Sequence, residues 1–181
     1  YYVVTPSKCA YIGMDAVLKN YEDRFVLCDG VQKLDEELTV FSAVPGRELW
    51  SGANDTLREK IGDDYPRDTF RHEQDLLVTE NGKTALFAGC AHCGIVNILK
   101  SAGDVLGRAP DAVFAGFHLY NPSLGKSEPD ELVDAVGEKL RGDKVAHYFT
   151  GHCTGKEAYE RLKRKLGDRL GEMPAGSDFT V

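Results

Sequence analysis

The chain has 181 residues, of which 42% are hydrophobic, and this length and apolar content predict one sizeable core in a single domain spanning residues 1–181. Its formal net charge of −7 disfavours nucleic acid as a partner, because neutralising many phosphates requires a face rich in Lys and Arg. The sequence shows no apolar run of about 18 residues, no secretion signal and, with five cysteines, no disulfide framework, so we expect a cytoplasmic protein without a membrane partner.

The first half of the chain contains apolar runs rich in β-branched and aromatic residues. These predict strands at residues 24–28, 38–44 and 76–79. The third is expected to form a hairpin with a strand at 84–88, because Asn81 and Gly82 between them suit a tight turn. Residues 50–70 are polar, acidic and weakly periodic, and we interpret them as a long surface loop.

Three later segments share one plan, in which an apolar strand is followed by a turn that carries a histidine. They are TALFAGCAH (84–92), DAVFAGFH (111–118) and KVAHYFTGH (144–152). Strands of nearly continuous apolar character that alternate with helices predict a covered α/β sheet.

A helix is predicted after each of these strands. The expected ranges are a stretch beginning at Gly94, about 128–141, and Lys156 to about Leu170. Ser127 is the candidate N-cap of the second helix. The apolar stripe of that helix is expected at Leu132, Val133, Val136 and Leu140.

Three histidines end the predicted strands, at the positions where open α/β sheets usually place their ligand sites. Three convergent imidazoles are the usual ligands of a catalytic zinc, which needs neutral nitrogen donors and an open position for water. His92, His118 and His152 are therefore the candidate metal ligands. A lone histidine at a strand end is more often a hydrogen-bonded structural residue, and we interpret His72 and His147 in that way.

The cysteines allow an alternative. Cys90 and Cys93 could hold a structural zinc ion together with His152 and Cys153, or could form a redox pair with each other. A structural site normally uses two ligand pairs, and the adjacent His152 and Cys153 would point in different directions from extended backbone. We therefore favour Cys90 and Cys153 as small buried apolar side chains, and the alternative stays open.

Four motifs together resemble the carboxyl-terminal half of the metallo-β-lactamase-fold hydrolases. They are DTFRHEQDLLV (68–78), LFAGCAHCGIVNIL (86–99), FAGFHL (114–119) and FTGHCTG (149–155). Their order and separations are most similar to the branch that includes the archaeal dihydropterin ribofuranosylaminobenzene-phosphate synthase. The resemblance extends from about Tyr11 to the segment SDFTV at 177–181, which is expected to form a closing strand.

The resemblance implies a four-layer αβ/βα sandwich with one or two metals, usually zinc, where two sheets meet. It makes His92 a ligand of the first metal and His152 the terminal ligand of the second. His118 stands where most of the superfamily has a bridging aspartate, and would be a ligand, a contact to the substrate or the catalytic proton donor to the leaving group. Glu73 would orient a ligand imidazole.

The function implied by the resemblance is a zinc-dependent hydrolase that acts on a phosphoester or other small ester-like substrate, with other divalent metals as possible replacements. The metal would activate water for attack on a phosphorus or carbonyl centre. Two alternatives stand beside it: a catalytically inactive fragment or interaction module, and a Cys/His structural zinc protein.

The chain departs from the superfamily in one respect: the H-x-H-x-D-H motif that supplies most of the metal ligands does not occur in it. We therefore expect a truncated version of the fold that cannot assemble a two-metal site alone. It should expose an apolar sheet face, to be covered by a missing N-terminal segment or by a second copy of the chain in a homo-oligomer.

Overall fold

The computed structural model describes all residues 1–181. Its strands are β1 (Tyr2–Thr5), β2 (Lys8–Tyr11), β3 (Gln32–Lys33), β4 (Leu38–Ser42), β5 (Leu57–Arg58), β6 (Gln74–Glu80), β7 (Lys83–Phe87), β8 (Ala112–Ala115), β9 (Tyr120–Asn121), β10 (Lys126–Ser127), β11 (His147–Thr150) and β12 (Leu170–Glu172). Its α-helices are α1 (Ile95–Leu106), α2 (Asp130–Gly142) and α3 (Lys156–Leu166). Short 3-10 helices occupy Ala16–Arg24, Gly52–Thr56, His152–Thr154 and Gly167–Arg169. None of the helices combines the length and the apolar character needed to cross a membrane.

A seven-stranded mixed sheet, in the order β12-β11-β8-β7-β6-β4-β3, organises the molecule. Strands β7, β8, β11 and β12 run parallel, whereas β3, β4, β6 and β7 pair antiparallel. The predicted α/β fold is therefore confirmed, as is the hairpin of β6 and β7, in which Asn81 and Gly82 both have positive φ. Because β7, β8 and β11 are parallel neighbours, the turns that follow them lie at one edge of the sheet.

The core lies between one face of this sheet and the three helices. Five fully buried side chains form a row across the strands in register: Leu77, Leu86, Val113, Tyr148 and Leu170. The helices cover this row with the apolar stripes that the periodicity predicts, namely Ile98, Leu99, Ala102, Val133, Val136, Leu140, Leu162 and Leu166. The burial of these stripes orients the helices on the sheet and so fixes the loops that lead into them.

The opposite face of the sheet is apolar and only partly covered. Phe87, Phe114 and Phe149 stack in a row, with ring centroids 4.8 and 4.9 Å apart. Phe179 packs against Phe114 and Phe149, while Phe87 remains 40% exposed. The predicted open face is thus present at Phe87, and its coverage by another segment or chain stays a prediction.

Two predicted strands do not form. Arg24 ends a 3-10 helix and residues 25–28 are irregular, with Val26 and Leu27 exposed, because the neighbouring edge strand β3 has only two residues and offers no further ladder to pair with. The segment 177–181 is also irregular, since Phe179 inserts into the aromatic row and draws the chain away from strand pairing.

Two predicted helix boundaries are wrong. Ser127 belongs to β10 and donates its hydroxyl to Glu157 at 2.8 Å, so the N-cap position of α2 falls on Pro129. Helix α3 ends at Leu166, four residues earlier than expected, because Gly167 with φ +57 turns the backbone away.

The surface-loop interpretation of residues 50–70 is correct only for part of the range. Residues 60–67 are exposed, but the 3-10 helix Gly52–Thr56 is packed into the molecule with Ala53, Asn54 and Thr56 buried. Hydrogen bonds to the rest of the molecule hold it there, such as that from Asn121 Nδ2 to the Ala53 carbonyl at 3.1 Å. This segment is therefore buried although its sequence is polar.

Candidate metal centre at the carboxyl edge of the sheet

Three turns meet where β7, β8 and β11 end, and backbone hydrogen bonds join them. The Gly116 N–H donates to the Gly89 carbonyl at 2.8 Å, which links the turn after β8 to the turn after β7. The Leu119 N–H donates to the Cys153 carbonyl at 3.0 Å, which links the turn after β8 to the turn after β11. Each turn carries one of the three candidate histidines.

The backbone is strained at each of these turns. Ala91, which precedes His92, has φ +55, and His118 and His152 have φ +47 and +52. Residues with a Cβ rarely adopt this left-handed conformation, and it persists only where the surrounding structure enforces it. Strain of this kind is typical of functional sites, and here it recurs at all three predicted ligands.

His92 is held by the carboxylate of Glu73, at the start of β6. Glu73 Oε1 lies 3.1 Å from His92 Nδ1 and also accepts the His92 backbone N–H at 2.6 Å. Glu73 Oε2 accepts the Cys93 N–H at 2.8 Å. Burial alone would raise the pKa of Glu73, but the bonds from His92 and Cys93 outweigh it and lower that pKa. The expected orienting contact is therefore present, and a carboxylate on one imidazole nitrogen is the usual support of a metal-bound histidine.

His118 is buried and unpartnered. The residue is 6% exposed, and neither Nδ1 nor Nε2 has a hydrogen-bond partner in the protein. Burial lowers the pKa of His118 to about 4, and the neighbouring charge of His92 contributes to the shift, so the ring is neutral at neutral pH. A neutral imidazole with a free nitrogen is the form that binds a metal ion.

The candidate histidines lie in two neighbouring groups. The rings of His92 and His118 meet edge to face, with centroids 4.4 Å apart. The ligand atoms of His152, Cys90 and Cys153 all lie within 4.8 Å of one another. Cys90 lies near both groups, because both His92 and His152 act on the pKa of its thiol. The structure thus places His92 against His118 and His152 beside Cys90, and a single site shared by the three histidines stays a prediction.

The charges of this region are coupled. Burial opposes protonation of His92, but hydrogen bonds to Cys90 and Glu73 outweigh it and raise the pKa of His92 to about 9. Hydrogen bonds from Cys153 and His92 hold the pKa of Cys90 well below its ordinary value, whereas the bond to Cys90 and burial raise the pKa of Cys153. A cation bound by His92 would displace a proton from that ring.

Ser51 and Asn54, which sequence reasoning missed, hold the turns that carry His118 and His92. Ser51 donates its hydroxyl to the His118 carbonyl at 2.6 Å and accepts the Ala53 N–H at 3.1 Å. Asn54 Nδ2 donates to the His92 carbonyl at 2.9 Å, while Asn54 Oδ1 is buried without a partner. The signal that could have identified them is Ser51 in an N-cap position before a short helix.

The remaining two histidines lie away from the sheet edge where the three turns meet. His72 is partly exposed and stacks on Tyr1, with ring centroids 3.8 Å apart and Nδ1 3.7 Å from Asp68 Oδ1. His147 is exposed at the first position of β11 and stacks on Phe149 with ring centroids 6.2 Å apart, so the expected hydrogen-bonded role is not found. Cys93, expected as a possible ligand beside Cys90, is instead buried with its thiol facing the Phe70 carbonyl at 3.7 Å.

The donor set fits a divalent cation. Burying an imidazole without a hydrogen-bond partner is costly, and a cation at this edge would supply that partner to His118. His92 is already oriented through Nδ1 by Glu73, and His152 is exposed beside them. Nitrogen and sulfur donors of this kind suit zinc better than magnesium or calcium.

Comparison with known proteins gives one sequence match. Over 101 residues the chain is 30% identical to the 7,8-dihydropterin-6-methyl-4-(β-D-ribofuranosyl)-aminobenzene-5′-phosphate synthase of Methanocaldococcus jannaschii. The match covers 55% of this chain and 32% of that protein, so the chain spans about a third of the length of the curated relative. No family model matches the chain.

Comparison of structures identifies the fold. The crystal structure of a metal-dependent hydrolase of the β-lactamase superfamily superposes with a TM-score of 0.67 at 19% identity, covering 86% of this chain and 57% of that chain. A metallo-β-lactamase from Erythrobacter litoralis aligns over 86% of this chain and 51% of its own at 16% identity, but its TM-score of 0.33 is too low to support an argument. The metallo-β-lactamase fold suggested by the motifs is thereby confirmed, and the sequence match falls on the predicted branch.

Proposed function

We propose that this protein is a zinc-dependent hydrolase whose metal site is formed by His92, His118 and His152. The observation that carries the proposal is the buried imidazole of His118, whose two nitrogens lack partners beside the ring of His92. Burying such a group without a partner is costly, and a transition-metal cation is a partner that suits the neutral imidazole of His118. The fold supports the same proposal, since its solved neighbour is a metal-dependent hydrolase.

Glu73, Ser51 and His118 have different roles at the proposed metal site. A bound divalent cation would act as a Lewis acid and lower the pKa of water at its open position. Glu73 fixes the ring of His92 through Nδ1, and Ser51 fixes the backbone of His118. The lowered pKa of His118 favours a ligand or acceptor role over that of proton donor to the leaving group, because the neutral ring lacks the acidic proton of an imidazolium at neutral pH.

A small phosphorylated or ester-like molecule is the proposed substrate. The related synthase is named for a product that carries a 5′-phosphate, and this chain matches about a third of that protein. Open grooves flank His152, with Lys156 lining both and Ser127 and Tyr120 lining one. Lys156 offers a positive charge and Tyr120 a hydroxyl donor for the oxygen atoms of such a substrate, while the Ser127 hydroxyl donates to Glu157.

Metal analysis of purified variants tests the proposal. Wild-type protein dialysed against zinc is expected to retain the metal and to hydrolyse a chromogenic phosphodiester such as bis(4-nitrophenyl) phosphate. His92→Ala and His118→Ala should hydrolyse no substrate and retain less zinc than wild-type protein, whereas His147→Ala, at the amino end of β11, should match wild-type protein in both properties. Wild-type protein that binds no zinc, or variants that bind it unchanged, would refute the assignment.

The second candidate is an interaction module without catalysis, favoured by the exposed Phe87 on the open face of the sheet. It predicts a folded wild-type protein that retains no zinc and hydrolyses no ester. The same metal analysis therefore separates the two functions.

A further inference from the structure

We propose that Cys90, Cys153 and His152 form a cation site of their own, with two thiolates and one imidazole as ligands, that binds a thiophilic divalent cation such as Zn²⁺ or Cd²⁺. Two thiolates and one imidazole are a known donor set for zinc with one open position. The site shares His152 with the proposed hydrolytic centre but needs neither His92 nor His118. Its two thiolate ligands therefore distinguish it experimentally from the proposed hydrolytic centre.

The distances suit such a site. The three ligand atoms lie within 4.8 Å of one another. Zinc binds thiolate sulfur at about 2.3 Å and imidazole nitrogen at about 2.0–2.1 Å, so ligands around one tetrahedral ion are separated by roughly 3.5–3.8 Å. The cluster therefore has to contract by only about 1 Å, which small side-chain rotations supply.

The local backbone explains how two adjacent residues face one cation. From extended chain, His152 and Cys153 would point apart. In the structure they lie in the 3-10 turn His152–Thr154, and His152 has φ +52. The turn is fixed by Thr154, whose hydroxyl accepts the Phe117 N–H at 2.9 Å and lies 2.6 Å from the hydroxyl of Thr150.

Gly116 makes the space for the Cys153 thiol. A Cβ at this position would lie 2.6 Å from Cys153 Sγ and 3.4 Å from the Gly89 carbonyl oxygen. The end of β8 therefore approaches the thiol more closely than any residue with a side chain allows. Gly116 bonds the Gly89 carbonyl through its N–H at 2.8 Å, so the backbone cannot easily move aside.

The site is accessible from one side only. Cys153 is 8% exposed and Cys90 is half-buried, whereas His152 is exposed and lines the open grooves. A cation can thus enter past His152 and become shielded from water by the two thiols. Cys93 takes no part, because its thiol faces the Phe70 carbonyl in the core.

Titration of the reduced protein with Cd²⁺ tests the proposal through the ultraviolet absorption of cadmium–thiolate bonds, which imidazole ligands do not produce. Wild-type protein should show this absorption at one equivalent of Cd²⁺. Cys90→Ser and Cys153→Ser should each remove half of the absorption or more and weaken binding at least about tenfold. Cys9→Ser, at an exposed thiol outside the cluster, should leave the titration unchanged.

The histidine variants separate this site from the hydrolytic centre. His92→Ala and His118→Ala should keep the cadmium–thiolate absorption even if they lose zinc-dependent hydrolysis, whereas His152→Ala should weaken both. Gly116→Ala should weaken Cd²⁺ binding by displacing Cys153, while Gly89→Ala, whose Cβ would meet nothing within 4 Å, should not. Circular dichroism of each variant establishes that it folds. The proposal is overturned if wild-type protein shows no thiolate absorption, or if Cys90→Ser and Cys153→Ser both retain it in full.

Discussion

The carboxylate of Glu73 holds His92 at two points, accepting the backbone N–H at 2.6 Å and lying 3.1 Å from Nδ1 of the ring. One side chain at the start of β6 thereby fixes both the turn after β7 and the orientation of the imidazole that the turn carries. The oriented ring lies edge to face against His118, with centroids 4.4 Å apart. Glu73 is thus a positioning residue for the candidate metal centre.

We predict that Glu73→Gln lowers zinc affinity by about 10- to 100-fold, because a neutral amide cannot support His92 as a carboxylate does. Competition with a zinc-binding dye measures the change. Glu80→Gln, at the exposed far end of the same strand, is the matched control and should leave the affinity as it is. Equal affinities of wild-type protein and Glu73→Gln would show that the contact does not support metal binding.

Ser51→Ala should destabilise the fold by about 1–2 kcal/mol. The substitution removes the hydroxyl that donates to the His118 carbonyl at 2.6 Å, so that buried carbonyl loses its partner, and the Ala53 N–H keeps only its bond to Glu128 Oε1 at 2.7 Å. Urea unfolding measures the change in the free energy of unfolding. Ser123→Ala, at an exposed serine, provides the baseline, and a loss no greater than that of Ser123→Ala would contradict the role given to Ser51.

Much of the fold follows from the sequence because the deciding interactions are local. Asn81 and Gly82 both adopt positive φ in the hairpin turn that their identity predicts. The stripe of α1 is equally local, since Ile95, Ile98 and Leu99 fall on one side of a helix by spacing alone. The placement of His92, His118 and His152 at one edge of the sheet then follows from the parallel strands they terminate.

Other features depend on contacts between distant parts of the chain. Ser51 and Asn54 are buried because their partners are the carbonyls of His118 and His92, 67 and 38 positions away in the sequence. Nothing in a polar stretch of sequence marks such partners. The orientation of Cys153 likewise depends on the glycine at position 116 of a different strand.

The two glycines that flank α3 should differ in their tolerance of a side chain. Both have positive φ, +77 at Gly155 and +57 at Gly167, so alanine is strained at either position. A Cβ at Gly155 would also lie 2.7 Å from Cβ of Tyr120, whereas one at Gly167 would meet nothing within 4 Å. Gly155→Ala should therefore cost about 1–3 kcal/mol more than Gly167→Ala in urea unfolding. Equal costs would mean that Tyr120 moves aside freely.

Asp75→Asn tests whether the buried carboxyl of Asp75 is protonated in the folded state. Asp75 is 0% exposed and neither of its oxygens has a hydrogen-bond partner. Burial raises the pKa of Asp75 to about 8, with a further contribution from the charge of Glu73. The folded state therefore keeps a proton that the unfolded chain releases near pH 4, and stability must fall as pH rises through the window between about 4 and 8.

In that window, the titration of Asp75 should lower the free energy of unfolding of wild-type protein by at most about 1.4 kcal/mol per pH unit. Asparagine does not titrate, so Asp75→Asn should match wild-type protein near pH 4 and exceed its free energy of unfolding by several kcal/mol, on the order of 3–5, near pH 8. Urea unfolding across the pH range measures both curves, with Asp104→Asn on the exposed side of α1 as the control that keeps the wild-type slope. If Asp75→Asn and wild-type protein lose stability in parallel from pH 4 to pH 8, the carboxyl is ionised in the folded state and has a partner that its surroundings do not reveal.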